Sequence, residues 1–367
     1  VRAISYRGIP VAVESDGWCL THGDVQKTRR AIMSGLGVGI IGAGTGRAQA
    51  PGFLQDPRVA HVALCDIDPE KLSATAEAVG ITDTTRDWQE FIVRDDIQVV
   101  SVASPDHLHA DMAVAALDAG KHVLCEKPMT MNLDEARRVI QAVERSGRKF
   151  LVNNVLRFYP RFQFVKQLVE SGELGTIYAA EGDYIHNTLA LIRNGWRGPH
   201  RHSVATGGGV HLIDLLRWLV GEVDEAMCYA TYGVLAPDEA KSPDCMLAVL
   251  KFRNGAIAKS MTNMAAQRPA IHNLILYGTK GVFVNGKPDG LLYRGERSEP
   301  ETVTATYGPP TPEAGHKTVG AKHLLDCIES DEKPLVDVYE GARSIAVCDA
   351  IYESFTTGSP AKVKPVE

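Results

Sequence analysis

Lys121-His122-Val123-Leu124-Cys125-Glu126-Lys127-Pro128 is the stretch on which the fold turns. A short apolar run with Val and Leu, reached directly from Ala119-Gly120, reads as an interior strand of a parallel sheet. It ends in Glu126-Lys127-Pro128, where the proline restricts the backbone before it and, if its bond is cis, fixes a tight turn. Sheets of this kind bind ligands beyond the carboxyl ends of their strands, and that is where Lys127 falls. A lone lysine at a strand end is by default a solvated side chain. The residues upstream argue for chemistry instead.

Val38-Gly39-Ile40-Ile41 is a continuous apolar strand followed at once by Gly42-Ala43-Gly44-Thr45-Gly46-Arg47. Glycines at this place let the backbone turn and approach a pyrophosphate seated on the next helix N-terminus. A second strand over 61–65 ends in Asp66, at about the 20-residue offset where a carboxylate takes the adenosine ribose hydroxyls. The competing reading of Asp66 is a cap for the helix that follows. The glycine pattern also departs from G-x-G-x-x-G, because the sixth position from Gly42 is Arg47 and Gly46 comes one residue early. Either the loop is a residue shorter, or Arg47 points outward where a small residue packs. Ile67 after Asp66 leaves no adjacent arginine for a 2′-phosphate, so the expected cofactor is NAD rather than NADP. Predicted helices at 69–79, 88–93, 110–119 and 133–146 alternate with extended segments at 82–85, 97–103, 121–128 and 150–152. That alternation is the pattern of an α/β doubly wound parallel sheet.

With 367 residues the chain is long enough for two cores. An apolar fraction of 44%, a charged fraction of 23% and a net charge of -6 describe an ordinary globular protein, with no basic run suited to nucleic acid. Seven scattered cysteines without a C-x-x-C pair offer no zinc or redox motif, and several sit in apolar runs as reduced core thiols do. No apolar run reaches membrane-spanning length, and the chain reads as cytoplasmic. No metal site is expected.

The Gly42 to Arg47 loop, the Ser104-Pro105 turn with His109, Ala119-Gly120-Lys121-His122-Val123 and Glu126-Lys127-Pro128 resemble the Gfo/Idh/MocA family, named for glucose-fructose oxidoreductase and inositol dehydrogenase. The resemblance runs from about residue 36 to the C-terminus and leaves 1–35 as an extension, an arm on its own or a neighbouring subunit. It implies a Rossmann domain over 36–153. Over 154–367 it implies an α/β domain whose open-faced, mostly antiparallel sheet packs on another subunit, giving a homodimer or homotetramer. Recurrent strand-like runs at 176–186, 225–232, 245–252, 256–264 and 272–277 read independently as an antiparallel meander. Two helices at 316–330 and 338–355 are expected to return across the domain junction.

Ala205-Thr206-Gly207-Gly208-Gly209-Val210-His211-Leu212-Ile213-Asp214 is the second site-forming stretch. His211 and Asp214, three apart, share a face of the first helical turn. Read alone, His211 is a core histidine. The resemblance makes it the catalytic histidine and Asp214 a substrate contact, with Arg157 as a further one. Relatives often carry an aspartate four residues before the histidine; here that residue is Gly207. The basic stretch around Trp196 and Arg197 is either a solvated loop or the mouth of the substrate site. The resemblance places the dinucleotide on Gly42, Gly44, Thr45, Gly46, Arg47, Asp66, Ser104, Pro105, His109, Glu126 and Lys127. It implies a nicotinamide-dependent dehydrogenase acting on a secondary hydroxyl of a sugar, inositol or derivative. The alternatives are a redox-neutral glycosidase or lyase and a non-enzymatic dinucleotide or sugar sensor.

Overall fold

The structure is a computed structural model that describes residues 35–366, apart from 194, 196, 197, 199–202, 311–314 and 316. The expected arm over 1–35 therefore lies, but for its last residue, outside the described residues. The first half alternates β1 (Leu36–Ile41), α1 (Ala43–Leu54), β2 (Val59–Cys65), α2 (Pro69–Val79), β3 (Asp83–Thr85), α3 (Trp88–Val93), β4 (Val99–Val102), α4 (His109–Asp118), β5 (His122–Cys125), α5 (Leu133–Ser146) and β6 (Phe150–Val152). These strands form one parallel sheet in the order β3-β2-β1-β4-β5-β6. Every residue of β1, β4 and β6 is buried, as strands covered by helices on both faces must be. Helix starts follow the local chemistry: Asp68 accepts from the Glu70 and Lys71 amides, and Asn132 accepts from the Glu135 amide. The strand over 122–125 is interior, between β4 and β6, as its apolar run requires.

The second half holds α6 (Pro160–Glu170), β7 (Ile177–Ile185), α7 (Leu189–Arg193), α8 (Val210–Val220), β8 (Val223–Thr231), β9 (Cys245–Phe252), β10 (Ile257–Asn263), β11 (Ile271–Gly278), β12 (Val282–Val284), β13 (Gly290–Tyr293), β14 (Glu301–Val303), α9 (Val319–Ser330), α10 (Val338–Thr357) and β15 (Ala361–Lys362). Its nine-stranded sheet runs β14-β13-β12-β11-β7-β10-β9-β8-β15. The expected simple meander is corrected here. β7 lies between β11 and β10 and is parallel to β10, so two antiparallel runs flank a strand that arrives from the first domain. Period-2 burial in β9 shows what each face does: Met246, Ala248 and Leu250 join the core, while Leu247 and Val249 are exposed.

The C-terminal helices cross between the two halves. Ala321, Leu324 and Leu325 of α9 and Ala342 and Ala346 of α10 join the core of the parallel sheet. Ile345, Val347 and Ile351 of α10 join the core of the second. One helix with a face in each core holds the two sheets in register around the edge where the site forms. Among the described residues no helix is long and apolar enough to cross a membrane, and the six described cysteines are free thiols.

Candidate active site

The carboxyl ends of β1, β4, β5 and β6 bring four turns together. At the first, Gly42 has φ 105°, and a Cβ there would lie 2.4 Å from the Ala103 oxygen, so the residue has to be glycine. A Cβ on Gly46 would lie 2.5 Å from Ile40 Cγ2, whereas Arg47 is exposed. Gly46 thus takes the helix-on-strand packing position, which settles the irregular glycine spacing: the loop is one residue shorter. Gly44 is exposed and a Cβ there would meet nothing within 4 Å, leaving open backbone at the N-terminus of α1. Thr45 is half-buried beside it.

Asp66 does not cap its own following helix, since Asp68 does. Its Oδ2 accepts from the Ala43 amide at 2.8 Å and its Oδ1 from the Asp68 amide at 3.0 Å. Both oxygens keep a lone pair for another donor. Ser104 follows β4 with a buried Oγ that has no partner among the described residues. An open glycine at a helix N-terminus, a fixed carboxylate beyond β2 and an orphaned hydroxyl beyond β4 fit a dinucleotide: pyrophosphate on the α1 amides, ribose on Asp66.

Two of the residues expected at the cofactor are buried and tie turns together. His109 is fully buried, with Nδ1 2.7 Å from the Pro128 oxygen and Nε2 2.9 Å from the Ser104 oxygen. It joins the two turns and has no surface left for a ligand. Glu126 is also buried, accepting from Gln49 Nε2 at 2.8 Å, Asn153 Nδ2 at 2.9 Å and Lys317 Nζ at 3.1 Å. Burial alone would raise its pKa, but the Lys317 and Lys127 ammonium groups outweigh burial and hold the carboxyl below its usual range. Glu126 anchors the turn that carries Lys127. Ser101 extends this network by donating to Gln49 Oε1 at 2.6 Å.

Lys127, half-buried and followed by a cis bond to Pro128, donates from Nζ to the Gly207 oxygen at 3.4 Å. Gly207 lies in a π-helical turn, Ala205–Gly209, that runs into α8. Single π turns of this kind are frequent at functional sites. A Cβ on Gly208 would lie 2.9 Å from the Tyr184 ring, and one on Gly209 2.6 Å from Thr262 Oγ1, so the glycines let the turn lie flat on β7 and β10. Four residues beyond Gly207 comes His211, stacked on Tyr184 with ring centroids 5.5 Å apart. The structure thus brings Lys127 and His211 to one place.

Around His211 stand groups that sequence reasoning missed. The Tyr184 hydroxyl and His186 Nδ1 share a hydrogen bond of 3.0 Å; His272 lies 5.5 Å from His211 by ring centroids and shares a 2.6 Å hydrogen bond with the Tyr307 hydroxyl. Burial pushes the Tyr307 phenol up to about 12, so it stays protonated at neutral pH. Period-2 pairing of Tyr184 and His186 at the end of β7 is the one sequence signal that marks this cluster.

Asp214 and Arg157 stand elsewhere than expected. Arg157 donates to both Asp214 oxygens at 2.8 Å and to Glu340 Oε2 at 2.8 Å, and both members of the pair have side chains no more than 2% exposed. Ser344 Oγ adds a bond to Asp214 at 3.2 Å, while Arg217 binds Glu222 and Ser344. This buried pair joins the turn at 155–158 to α10 and to α8, the helix that also carries His211. Trp196 and Arg197 lie outside the described residues.

Residues 36–154 match the family model described as "Oxidoreductase family, NAD-binding Rossmann fold", and 166–363 match its C-terminal alpha/beta domain. The chain belongs to the Gfo/Idh/MocA oxidoreductase family. Among curated members it is similar to levoglucosan dehydrogenase of Pseudarthrobacter phenanthrenivorans, 28% identical over 287 residues, covering 69% of this chain and 74% of that protein. It is 26% identical to inositol 2-dehydrogenase of Rubrobacter xylanophilus over 342 residues, covering 90% and 94%. The solved levoglucosan dehydrogenase in complex with NADH superposes with a TM-score of 0.81 at 24% identity, over 90% of this chain and 100% of that one. As a Gfo/Idh/MocA member the chain is an oxidoreductase with an NAD-binding Rossmann domain. Of possible metal donors, the one grouping of three among the described residues is His61, Asp83 and Asp96, and Arg94 already binds both carboxylates.

Proposed function

We propose that the protein is an NAD-dependent dehydrogenase that interconverts a secondary hydroxyl and a ketone on a sugar, inositol or sugar derivative. The observation that carries this reading is the approach of Lys127 Nζ to Gly207, which seats an ammonium group beside the turn that presents His211. His211 removes the hydroxyl proton, and the Lys127 ammonium stabilises the oxyanion that develops. The nicotinamide, when bound, supplies the hydride transfer. Tyr184, His186, His272 and Tyr307 offer hydrogen bonds and ring faces to the other hydroxyls. Gly207 stands where relatives often have an aspartate, and the His211 ring packs against those of Tyr184 and His272.

Asp66 with Ile67 behind it favours NAD over NADP, and parallel titrations of the two oxidised cofactors test that. Tighter binding of NADP removes Asp66 from the ribose. The functional test is a panel of sugars, inositols and derivatives, followed by nicotinamide absorbance and product analysis. Net formation of NADH with a ketone supports the proposal; product without net NADH supports the redox-neutral reading, and neither supports a sensor.

Assembly belongs to the same reading. Tyr229 is 72% exposed, Val249 and Ile257 each 53%, and Leu247 43%, all on the face of the second sheet away from α8 and α10. An apolar face of this extent suits a second copy of the chain, giving a dimer or tetramer. Light scattering at micromolar concentration tests it, and a monomer rejects it.

A further inference from the structure

We propose that Asn154 recognises the carboxamide of the nicotinamide ring, an inference that rests on the dinucleotide reading above. Asn154 is 2% exposed, and neither its Oδ1 nor its Nδ2 has a partner among the described residues. Its main chain is ordinary: the amide donates to the Val152 oxygen at 2.8 Å and the carbonyl accepts from the Arg157 amide at 3.3 Å. Only the side chain is left without partners. A buried amide in that condition costs stability in the free protein, and a ligand that completes its bonds gives a reason for keeping it.

The position connects the two halves of the site. Asn154 follows β6 at the carboxyl edge of the parallel sheet, one residue after Asn153, which donates to Glu126 behind Lys127. Three residues later Arg157 binds Asp214 on α8, the helix that carries His211. The chemistry of the missing partner follows from the amide itself. One end accepts and the other donates, on separate atoms of one planar group. A phosphate or carboxylate offers acceptors only and leaves Oδ1 unmet. A single hydroxyl meets one end at a time. A primary carboxamide meets both ends at once, and the nicotinamide ring carries that group.

The test titrates the full chain with NADH, with ADP-ribose, which lacks the nicotinamide, and with NAD against nicotinic acid adenine dinucleotide, which has a carboxylate in place of the amide. Asn154→Leu keeps the size and removes both polar ends. NADH should bind on the order of tenfold more weakly, or worse, from two lost hydrogen bonds. ADP-ribose affinity should be unchanged, and the melting temperature of the free protein should be equal or higher. Asn154→Asp, which keeps the shape but loses the donor, should show the same contrast. The wild-type preference for NAD over the nicotinic acid dinucleotide should disappear in Asn154→Leu and persist in Asn154→Asp, whose carboxylate accepts from the amide and repels the acid. Equal weakening of NADH and ADP-ribose, or no weakening of NADH, overturns the assignment. If the wild-type chain does not bind ADP-ribose, the dinucleotide reading itself fails, which is a separate outcome.

Discussion

Asp214→Ala separates the two readings of the α8 face. In wild type, Asp214 accepts two bonds of 2.8 Å from Arg157 and one of 3.2 Å from Ser344, at 1% exposure. The substitution leaves the buried Arg157 guanidinium with Glu340 as its remaining acid partner. Removing one member of a buried pair costs roughly 3–5 kcal/mol, because the other charge stays desolvated. For a chain of 367 residues that is a fall in melting temperature of roughly 4–7 °C. Calorimetry or a fluorescence melt of the free protein reads it directly. Turnover should fall as well, because the pair holds the helix that carries His211, while NADH affinity should hold. The paired substitution Arg157→Met with Asp214→Leu should recover most of the stability, since no lone charge remains. A free-protein melting temperature within a degree or two of wild type, with a large rise in substrate KM, refutes this reasoning and returns Asp214 to the substrate.

Lys127→Ala and His211→Ala should each lose about 10²–10⁴ in kcat with NADH affinity nearly unchanged, and His211→Ala should also lose the ionisation on the rising limb of the pH–rate profile; full activity in both rejects the mechanism. Gly44→Ala should weaken NADH binding without altering the free protein's melting temperature, because its Cβ meets no protein atom, whereas Gly46→Ala should destabilise by roughly 1–3 kcal/mol as it presses on Ile40. Burial and the Arg148 and Lys149 charges push His122 down from 6.5 to about 3. As pH falls below 6.5 the unfolded chain takes up this proton first, so a contribution of at most a few kcal/mol, fully present above 6.5, is lost progressively toward pH 3. His122→Gln should flatten denaturation midpoints across that range, and an unchanged slope rejects the assignment.

The alternation of apolar runs with helices was enough to read the first sheet, because strands buried on both faces have little freedom to be anything else. The second sheet was legible in its strands and not in their order. Nothing in the pattern of β7 distinguishes pairing beside β11 from pairing beside β8, since that choice depends on which neighbours close the core over α8 and α10. The strands β12 to β14 are three or four residues long and carry too few alternations to register. The glycine loop shows the opposite case. Its irregular spacing was visible, but choosing between Gly46 and Arg47 as the packing residue needed the position of Ile40.

Polar motif residues of the site divide by depth, and depth is what a linear motif does not record. Glu126 and Lys127 are adjacent, yet the turn after β5 sends one into the network of Gln49, Asn153 and Lys317 and the other toward Gly207. His211 and Asp214 are three apart on one helix, yet one stacks on Tyr184 while the other is buried in its pair with Arg157. His109 belongs to the buried set for the same reason: both its nitrogens meet main-chain oxygens of the turns it joins. A motif residue that holds a turn is under the same constraint as one that touches a ligand, because losing either misplaces the reacting groups. The two kinds part only in measurement. Substitution of Glu126, His109 or Asp214 should lower stability and rate together, whereas substitution of Lys127 or His211 should lower the rate alone.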